Sequence, residues 1–215
     1  MFTYHYDPWI LSRMDGIQKY MDPDYFRSKT LLEVGGGHGH IGNKFHQLGA
    51  IVTTSDARRE HVDEAHKKYP HLHTLVIDGD RDPITENYDI ILHWGLLYHL
   101  QEIEHHLETI AQHCTVLLLE TEVSDSDDDA FFVQVNESGY DQAFHSVGIR
   151  PSPSYVEKVL DKNGFHFQRI LDPILNSSFH CYDWSIQNTK TWQHGLRRFW
   201  ICWKKNTDSP LKTFS

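Results

Sequence analysis

The sequence predicts a doubly wound α/β fold, in which a mostly parallel sheet carries helices on both faces. Two observations lead to this prediction. Over residues 1–120, short apolar runs alternate with segments whose apolar residues recur at helical spacing. The first run ends in a turn with glycines at positions 35, 37 and 39, and α/β folds bind ligands at such strand-to-helix turns.

The first half of the chain predicts a helix followed by five strands with helices between them. Asp7 and Pro8 give a helix start signal, as the N-cap and a first-turn residue, and apolar residues recur at helical spacing from Ile10 to Met21. Continuous apolar or β-branched runs then predict strands that are covered on both sides. These strands are residues 30–34, 51–55, 72–77, 88–92 and 116–119, and the helices between them centre on 41–48, 62–69 and 103–111.

Residues 124–151 break this alternation, and an acidic run lies there, from Asp125 to Asp129. Within this run, we expect Asp127 to Asp129 to be solvated charge on a loop. Ser154 and Glu157 then match a capping box at the start of a further helix. Two more strands are predicted after it, at 165–171 and 197–203.

The length of 215 residues, with 39% hydrophobic residues, fits one domain with a well-buried core. No apolar run approaches the roughly 18 residues of a membrane span, and the N-terminus lacks the basic and apolar regions of a signal peptide. The expected organisation is a single domain at 1–205, with an N-terminal helical cap at 1–28, a lid-like insertion at 124–152 and a C-terminal tail at 206–215.

Charge, cysteine and histidine content restrict the partners and the setting. The formal net charge of −10 disfavours broad nucleic-acid binding, although a local basic patch near the C-terminus stays open. Three widely spaced cysteines give no disulfide framework, so we expect a cytoplasmic protein. The 17 histidines are scattered, and no metal site is predicted. The cysteines are Cys114, Cys181 and Cys202, and the basic residues are Lys190, Arg197, Arg198, Lys204 and Lys205.

The spacing of the glycine turn discriminates between nucleotide-like ligands. A dinucleotide fingerprint, G-x-G-x-x-G from Gly35, fails because His40 stands at the sixth position. A phosphate-binding loop from Gly37 fails because Asn43 stands where lysine is required. What remains is E-x-G-x-G-x-G, which starts at Glu33.

Carboxylates follow the second and third predicted strands, at the edge where ligands bind in open α/β sheets. Asp56 lies 21 positions after Gly35, where a carboxylate can accept both hydroxyls of a ribose. Asp78 can accept from an adenine amine while the N–H of Gly79 serves a ring nitrogen. Any one such acid is commonly a turn former or an N-cap. Three such positions, after strands one to three, together with the glycine turn in the right order along the chain, favour a ligand site.

The stretch from Leu32 to Gly39, then Asp56, Asp78 and the stretch from Tyr88 to Leu100 resemble the class I S-adenosylmethionine-dependent methyltransferases. The resemblance covers about residues 29–122. It implies a Rossmann-like, seven-stranded sheet whose last strand is antiparallel and lies between strands five and six. Residues 197–203 are the candidate for that strand, and S-adenosylmethionine is the implied cofactor.

The same resemblance implies roles for the residues of the first motif. Gly35, Gly37 and Gly39 pass the backbone close to the amino acid part of the cofactor. Glu33 either orders the turn or meets the amino group of the ligand.

Roles for the later residues follow in the same way. Asp56 binds the ribose, and Asp78 meets the adenine, with Asp80 as a possible substitute. His93 and Trp94 border the methyl-donor end.

Two histidines are candidate general bases, which an alcohol or phenol acceptor would require. His99 is the better placed by its motif, and the alternative is that it caps or packs against the following helix. His145 lies on the lid-like insertion, and the alternative is an exposed loop residue.

The motifs favour a small molecule as the methyl acceptor, at an oxygen or a nitrogen. No Asn/Asp-Pro-Pro-aromatic signature follows the fourth strand, which disfavours methylation of nucleic-acid bases, and no Asp-Asp-Asn set of the metal-dependent catechol type is found. An RNA methyltransferase and a non-catalytic cofactor-binding module stay as alternatives, and a nicotinamide oxidoreductase is disfavoured by His40. The oligomeric state stays open.

Overall fold

Five helices and nine strands are formed by the residues that the computed structural model describes, 6–139 and 142–213. The helices are α1 (Tyr6–Tyr20), α2 (His40–Gln47), α3 (Arg59–Lys68), α4 (Ile103–His113) and α5 (Pro153–Lys162). The strands are β1 (Thr30–Val34), β2 (Ile51–Asp56), β3 (His73–Val76), β4 (Tyr88–Trp94), β5 (Cys114–Asp125), β6 (Phe132–Asn136), β7 (Val147–Pro151), β8 (Phe165–Ile170) and β9 (Thr191–Lys204).

Seven of these strands form one sheet in the order β3-β2-β1-β4-β5-β9-β8. The pairs from β3 to β5 are parallel, and β9 runs antiparallel between β5 and β8. The predicted doubly wound sheet is therefore confirmed, including its one reversed strand between the fifth and sixth strands. Among the described residues, the strands β6 and β7 pair with each other and form a separate two-stranded sheet.

Both faces of the sheet are buried against helices, which explains the continuous apolar strands. Neighbouring residues of β1 point to opposite faces, so Leu31 packs with α1 and α2 in one cluster while Leu32 packs with α4 and α5 in the other. In β5, Leu117 and Leu118 divide in the same way.

Element boundaries differ from the prediction where polar residues are buried. The fifth strand extends from Cys114 to Asp125, not 116–119, because it stays paired with β9 through the buried Glu120 and Glu122. The strand predicted at 197–203 begins earlier, at Thr191.

Two predicted helix caps are wrong. The N-cap of α5 is Ser152, whose side chain accepts from the N–H of Tyr155, and not Ser154. Glu157 instead accepts from Arg169 and from the indole of Trp200. Asp7 lies inside the first turn of α1 because the helix already includes Tyr6.

The segments predicted as insertion and tail both contact the main domain. Residues 124–152 contain the end of β5, a loop with Asp127 and the β6–β7 hairpin. In the tail, Leu211 bridges to Met21 and the N–H of Lys212 donates to Tyr20. Residues 1–5 of the predicted helical cap, 140–141 of the insertion and 214–215 of the tail lie outside the described residues. Among the described helices, none is long and apolar enough to cross a membrane.

Candidate functional site

A cavity opens at the carboxyl ends of β1, β2 and β4, where the strand order changes direction. Ligands of open α/β sheets bind at this kind of position. Eight of the residues singled out in the sequence line the cavity, and they are Gly35, Gly37, Asp56, Asp78, Gly79, Asp80, Trp94 and His99. Three others, Glu33, Gly39 and His93, lie behind its described wall, and His145 contacts it through Asp78.

The glycine turn leaves β1 with left-handed backbone that favours glycine. Gly35, Gly37 and Gly39 have φ values of 70°, 54° and 74°. A side chain on Gly35 would also press on Leu96 across the cavity. The absence of a side chain at Gly35 therefore lets Leu96 pack directly against the turn, and Gly39 leads the chain into α2 as its N-cap.

Glu33 is buried beneath this turn and fixes its shape. Its carboxylate accepts from the N–H of Gly42 at 3.1 Å and from the hydroxyl of Thr54 at 2.6 Å. Burial raises the pKa of Glu33 to about 7, against the lowering effect of these hydrogen bonds. These contacts support the turn-ordering role among the two that the sequence left open.

Asp56 ends β2 with its carboxylate at the cavity. One oxygen accepts from the N–H of Gly37 at 3.0 Å, and the other accepts from the N–H of Arg58 at 2.9 Å and lies 3.2 Å from Nδ1 of His61. Burial alone would raise the pKa of Asp56, but His61 and the two backbone donors lower it by more. The pKa therefore lies below its ordinary value, and the group is ionised. An ionised carboxylate with lone pairs left over is a good acceptor for hydroxyl groups.

Asp78 and Asp80 both face the cavity, and each already has partners. Nε2 of His145 lies 2.8 Å from Oδ2 of Asp78. Oδ1 of Asp80 accepts from the N–H groups of Gln101 and Glu102, at the start of α4. Ligand-type atoms of Asp78, Asp80 and His145 lie within 4.8 Å of one another, and the hydrogen bond between His145 and Asp78 lies within this cluster.

His93 supports the site through a second histidine that the sequence reading missed. Its Nε2 lies 2.8 Å from Nε2 of His106, and Nδ1 of His106 lies 2.7 Å from the carbonyl of Gly79. Burial lowers the pKa of both rings, that of His106 to about 4. Two neutral rings in series therefore tie the loop at Gly79 to β4 and α4.

Arg13 of α1 also lines the cavity, beside Trp9 and Trp94. Its guanidinium lies 3.7 Å from the ring centroid of Trp9, and Nη1 donates to Glu120 at 3.3 Å. Nη2 is buried and has no hydrogen-bond partner among the described residues. A buried guanidinium with an unused donor is the feature expected of an anion subsite.

Glu120 lies behind this end of the cavity and is hydrogen-bonded to three buried side chains. It accepts from Arg13, from Nη1 of Arg197 at 2.9 Å and from the hydroxyl of Tyr182 at 3.0 Å. Nη2 of Arg197 donates to the hydroxyl of Tyr98 at 3.2 Å. Two buried guanidiniums therefore share one carboxylate within this cluster.

His99 lies on a short 3₁₀ turn, Leu97–His99, and contacts the β6–β7 hairpin. Its Nδ1 lies 2.5 Å from Oε2 of Glu137. Glu137 also accepts from Nη2 of Arg150, whose Nε donates to Glu122 at 2.7 Å. The sequence reading missed Glu137 and Arg13, although an arginine on an otherwise apolar helix face was a usable signal for Arg13.

A family model described as a methyltransferase domain matches residues 11–176 of this chain. The chain therefore belongs to the methyltransferase domain family, and the predicted resemblance to class I methyltransferases is confirmed. No curated protein matches the chain significantly.

Solved structures share the fold at low identity. The N-terminal domain of EvdMO1, crystallised with SAH and D-fucose, is 15% identical, covers 94% of this chain and 84% of its own, and has a TM-score of 0.69. The DhpI-SAM-HEP complex is 15% identical, with coverages of 94% and 88% and a TM-score of 0.63. An S-adenosylmethionine-dependent methyltransferase from Mesorhizobium loti is 13% identical, with coverages of 83% and 92% and a TM-score of 0.61.

Proposed function

We propose that this protein transfers a methyl group from S-adenosylmethionine to an oxygen or nitrogen of a small molecule. One observation carries the proposal: a single cavity brings the glycine turn, Asp56 and Asp78 together with Nη2 of Arg13, which has no hydrogen-bond partner among the described residues. S-adenosylmethionine ends in a carboxylate, and Arg13 is hydrogen-bonded to Glu120 of β5, whereas Asp78 follows β3, which three strands separate from β5 in the sheet order β3-β2-β1-β4-β5. The described residues therefore fit this cofactor.

The cavity offers a partner for each part of the cofactor. Arg13 would bind the carboxylate, the main chain at Gly35 and Gly37 would pass beside the amino acid part, and Asp56 would accept from the ribose. Asp78, with Asp80 as the alternative, would accept from the adenine amine. EvdMO1 and DhpI were solved with SAH or SAM, which supports this assignment.

The bound cofactor supplies a methyl group that its sulfonium already activates, so the protein has mainly to align the reactants and exclude water. Trp9, Trp94 and Tyr98 form aromatic walls at the end of the cavity next to Gly95. His99 lies beside them, and we assign to it the role of the general base that removes a proton from the acceptor. His145 is bonded to Asp78, and we assign it to the adenine side rather than to the chemistry.

A small acceptor is favoured over RNA by the state of the basic C-terminal residues. Arg197 and Arg198 are only 2% and 1% exposed, so they form no surface patch. Lys190 pairs with Asp128, and Lys205 pairs with Asp161. The EvdMO1 domain was solved with the small molecule D-fucose.

The thiols of the chain are free in the structure, and we place the protein in the cytoplasm on that basis.

Calorimetry with S-adenosylmethionine tests the proposal at its first step. We expect binding that Asp56→Ala weakens at least about tenfold, since it removes a charged hydrogen-bond acceptor. Asp63→Ala, on the exposed side of α3, is the matched control and should bind like the parent. If the parent protein binds none, the assignment of the cofactor fails.

Transfer of radiolabel then separates the candidate acceptors. Label should pass from S-adenosylmethionine into a small-metabolite extract and not into total RNA. Label in RNA alone would favour the RNA methyltransferase. Tight binding with no transfer to either pool would favour the non-catalytic module.

A further inference from the structure

The dyad of His99 and Glu137 has the geometry of an oriented base. Nδ1 of His99 is held at 2.5 Å by the carboxylate of Glu137, which also accepts from the N–H of Ala143 at 3.0 Å and from Arg150. Glu137 is 5% exposed, so its carboxylate is withdrawn from water. His99 lines the cavity, and none of the described residues hydrogen-bonds its Nε2. Nε2 is therefore the ring nitrogen that a bound acceptor would meet.

The protonation states in the dyad follow from its surroundings. Burial alone would raise the pKa of Glu137, but the hydrogen bond from His99 and the charge of Arg150 bring it to about 2. Burial lowers the pKa of His99, with Glu137 opposing and the charges of Arg150 and Arg197 assisting. An ionised carboxylate can only accept, so Nδ1 carries the proton and Nε2 carries a lone pair.

Other charged groups packed around the dyad do not alter this assignment. Arg150 reaches it from β7 and Arg197 from β9, while Glu120 and Glu122 of β5 neutralise those two guanidiniums from behind. Main-chain packing fixes the hairpin here as well, because Gly148 of β7 lies against the carbonyl of Tyr98 with no room for a side chain. The carboxylate is thus held in place by the fold and not by His99 alone.

We propose that the acceptor is a hydroxyl compound, and that Glu137 is the positioning residue that sets the tautomer in which His99 removes the hydroxyl proton. This inference rests on the methyl transfer proposed above. A neutral amine attacks through its own lone pair and a thiol ionises readily, whereas an alcohol or phenol gains most from a base held beside it. A carboxylate–histidine pair that the fold holds at the methyl-donor end of the cavity therefore favours an oxygen nucleophile.

The step balances with the groups already named. Nε2 of His99 takes the hydroxyl proton as the oxygen–carbon bond forms to the methyl group. The carbon–sulfur bond breaks, and its electron pair stays on sulfur, which becomes a neutral thioether. The imidazolium that results is stabilised by Glu137, and it returns its proton to water after the product leaves.

Nitrogen NMR of the imidazoles tests the dyad without any acceptor. In the full chain loaded with SAH, at about pH 7.5, the resonances that disappear in His99→Asn should report a neutral ring protonated at Nδ1. Glu137→Gln should shift the population toward the Nε2–H form, and Glu137→Asp should retain part of the original state. Glu157→Gln, which breaks a carboxylate–arginine pair outside the cavity, is the control. A ring protonated at Nε2 in the parent protein would overturn the assignment.

Product analysis tests the nucleophile. Label transferred into a small-metabolite extract should reside in an O-methyl group, and His99→Asn should lower kcat by about 10²–10⁴-fold. Glu137→Gln should lower kcat by about tenfold or more and move the acidic limb of the pH profile to lower pH, because Glu137 raises the pKa of His99. An N-methyl product, or a limb unmoved in Glu137→Gln, would overturn the inference and leave the methyl transfer intact. No SAH binding, or no transfer to any pool, would remove the reaction itself.

Discussion

The two halves of the site, which include the residues that support the cavity from behind, are built by different means. The strand-end half consists of Gly35, Gly37, Asp56 and Asp78, each placed at the end of a strand of the parallel sheet or within three residues after it. The ion-pair half consists of side chains from α1, the 3₁₀ turn, β5, the β6–β7 hairpin and β9, joined through Glu120 and Glu137. Topology alone brings the first set together, whereas the second depends on buried charges finding one another across the fold.

The largest expected effect comes from removing the shared carboxylate of the ion-pair half. Glu120→Gln leaves Arg13 and Arg197 buried without their counter-charge, and breaking a buried pair in this way costs about 3–5 kcal/mol. Urea unfolding measures the loss. Glu104→Gln breaks an exposed pair with Lys162 and should change stability by at most about 1 kcal/mol. Equal effects of the two substitutions would mean that the ion-pair half is not held by its charges.

Glu33, which lies beneath the glycine turn of the strand-end half, should make the free energy of unfolding depend on pH. Its pKa is about 7 in the fold and 4.5 as the ordinary value, so the folded state binds the extra proton between these values. Stability from this group is present below about pH 4.5 and is lost as pH rises to about 7, by roughly 3 kcal/mol. Urea unfolding of the parent and Glu33→Gln at several pH values isolates the difference. A constant difference across that window would contradict the raised pKa.

Arg13 links the two halves, and because Glu120 keeps Arg197 and Tyr182 as partners, substitution of Arg13 should affect binding more than folding. Arg13→Met keeps a long side chain against Trp9 but removes the donor proposed for the carboxylate of the cofactor. We expect the affinity for S-adenosylmethionine to fall about 10- to 100-fold, the range of a charged hydrogen bond. Calorimetry measures the change, and binding of adenosine, which lacks that carboxylate, is the control. A parallel loss of adenosine binding would show that Arg13 acts through the fold instead.

The residues of the strand-end half could be located in the sequence because they follow apolar strands at short range, as Gly35, Asp56 and Asp78 do. The reversed strand was implied only by the family resemblance, and the order of the parallel strands was not predicted. The ion-pair half carried little local signal. Glu120 and Glu122 lie beyond the end of the predicted fifth strand, 116–119, and Glu137 meets His99 only because the β6–β7 hairpin folds back over it.

The smallest expected effect separates Asp78 from Asp80 within the strand-end half. Asp80 accepts two main-chain N–H groups at the start of α4, so Asp80→Ala should cost about 1 kcal/mol of stability, as the loss of a helix cap does. Asp78→Ala removes the acceptor proposed for the adenine amine and should weaken binding of S-adenosylmethionine about fivefold, the value of one ordinary hydrogen bond. Thermal unfolding and calorimetry on both variants give the two quantities. If Asp80→Ala weakens binding more than Asp78→Ala does, the adenine contact belongs to Asp80, and Asp78 serves to hold His145.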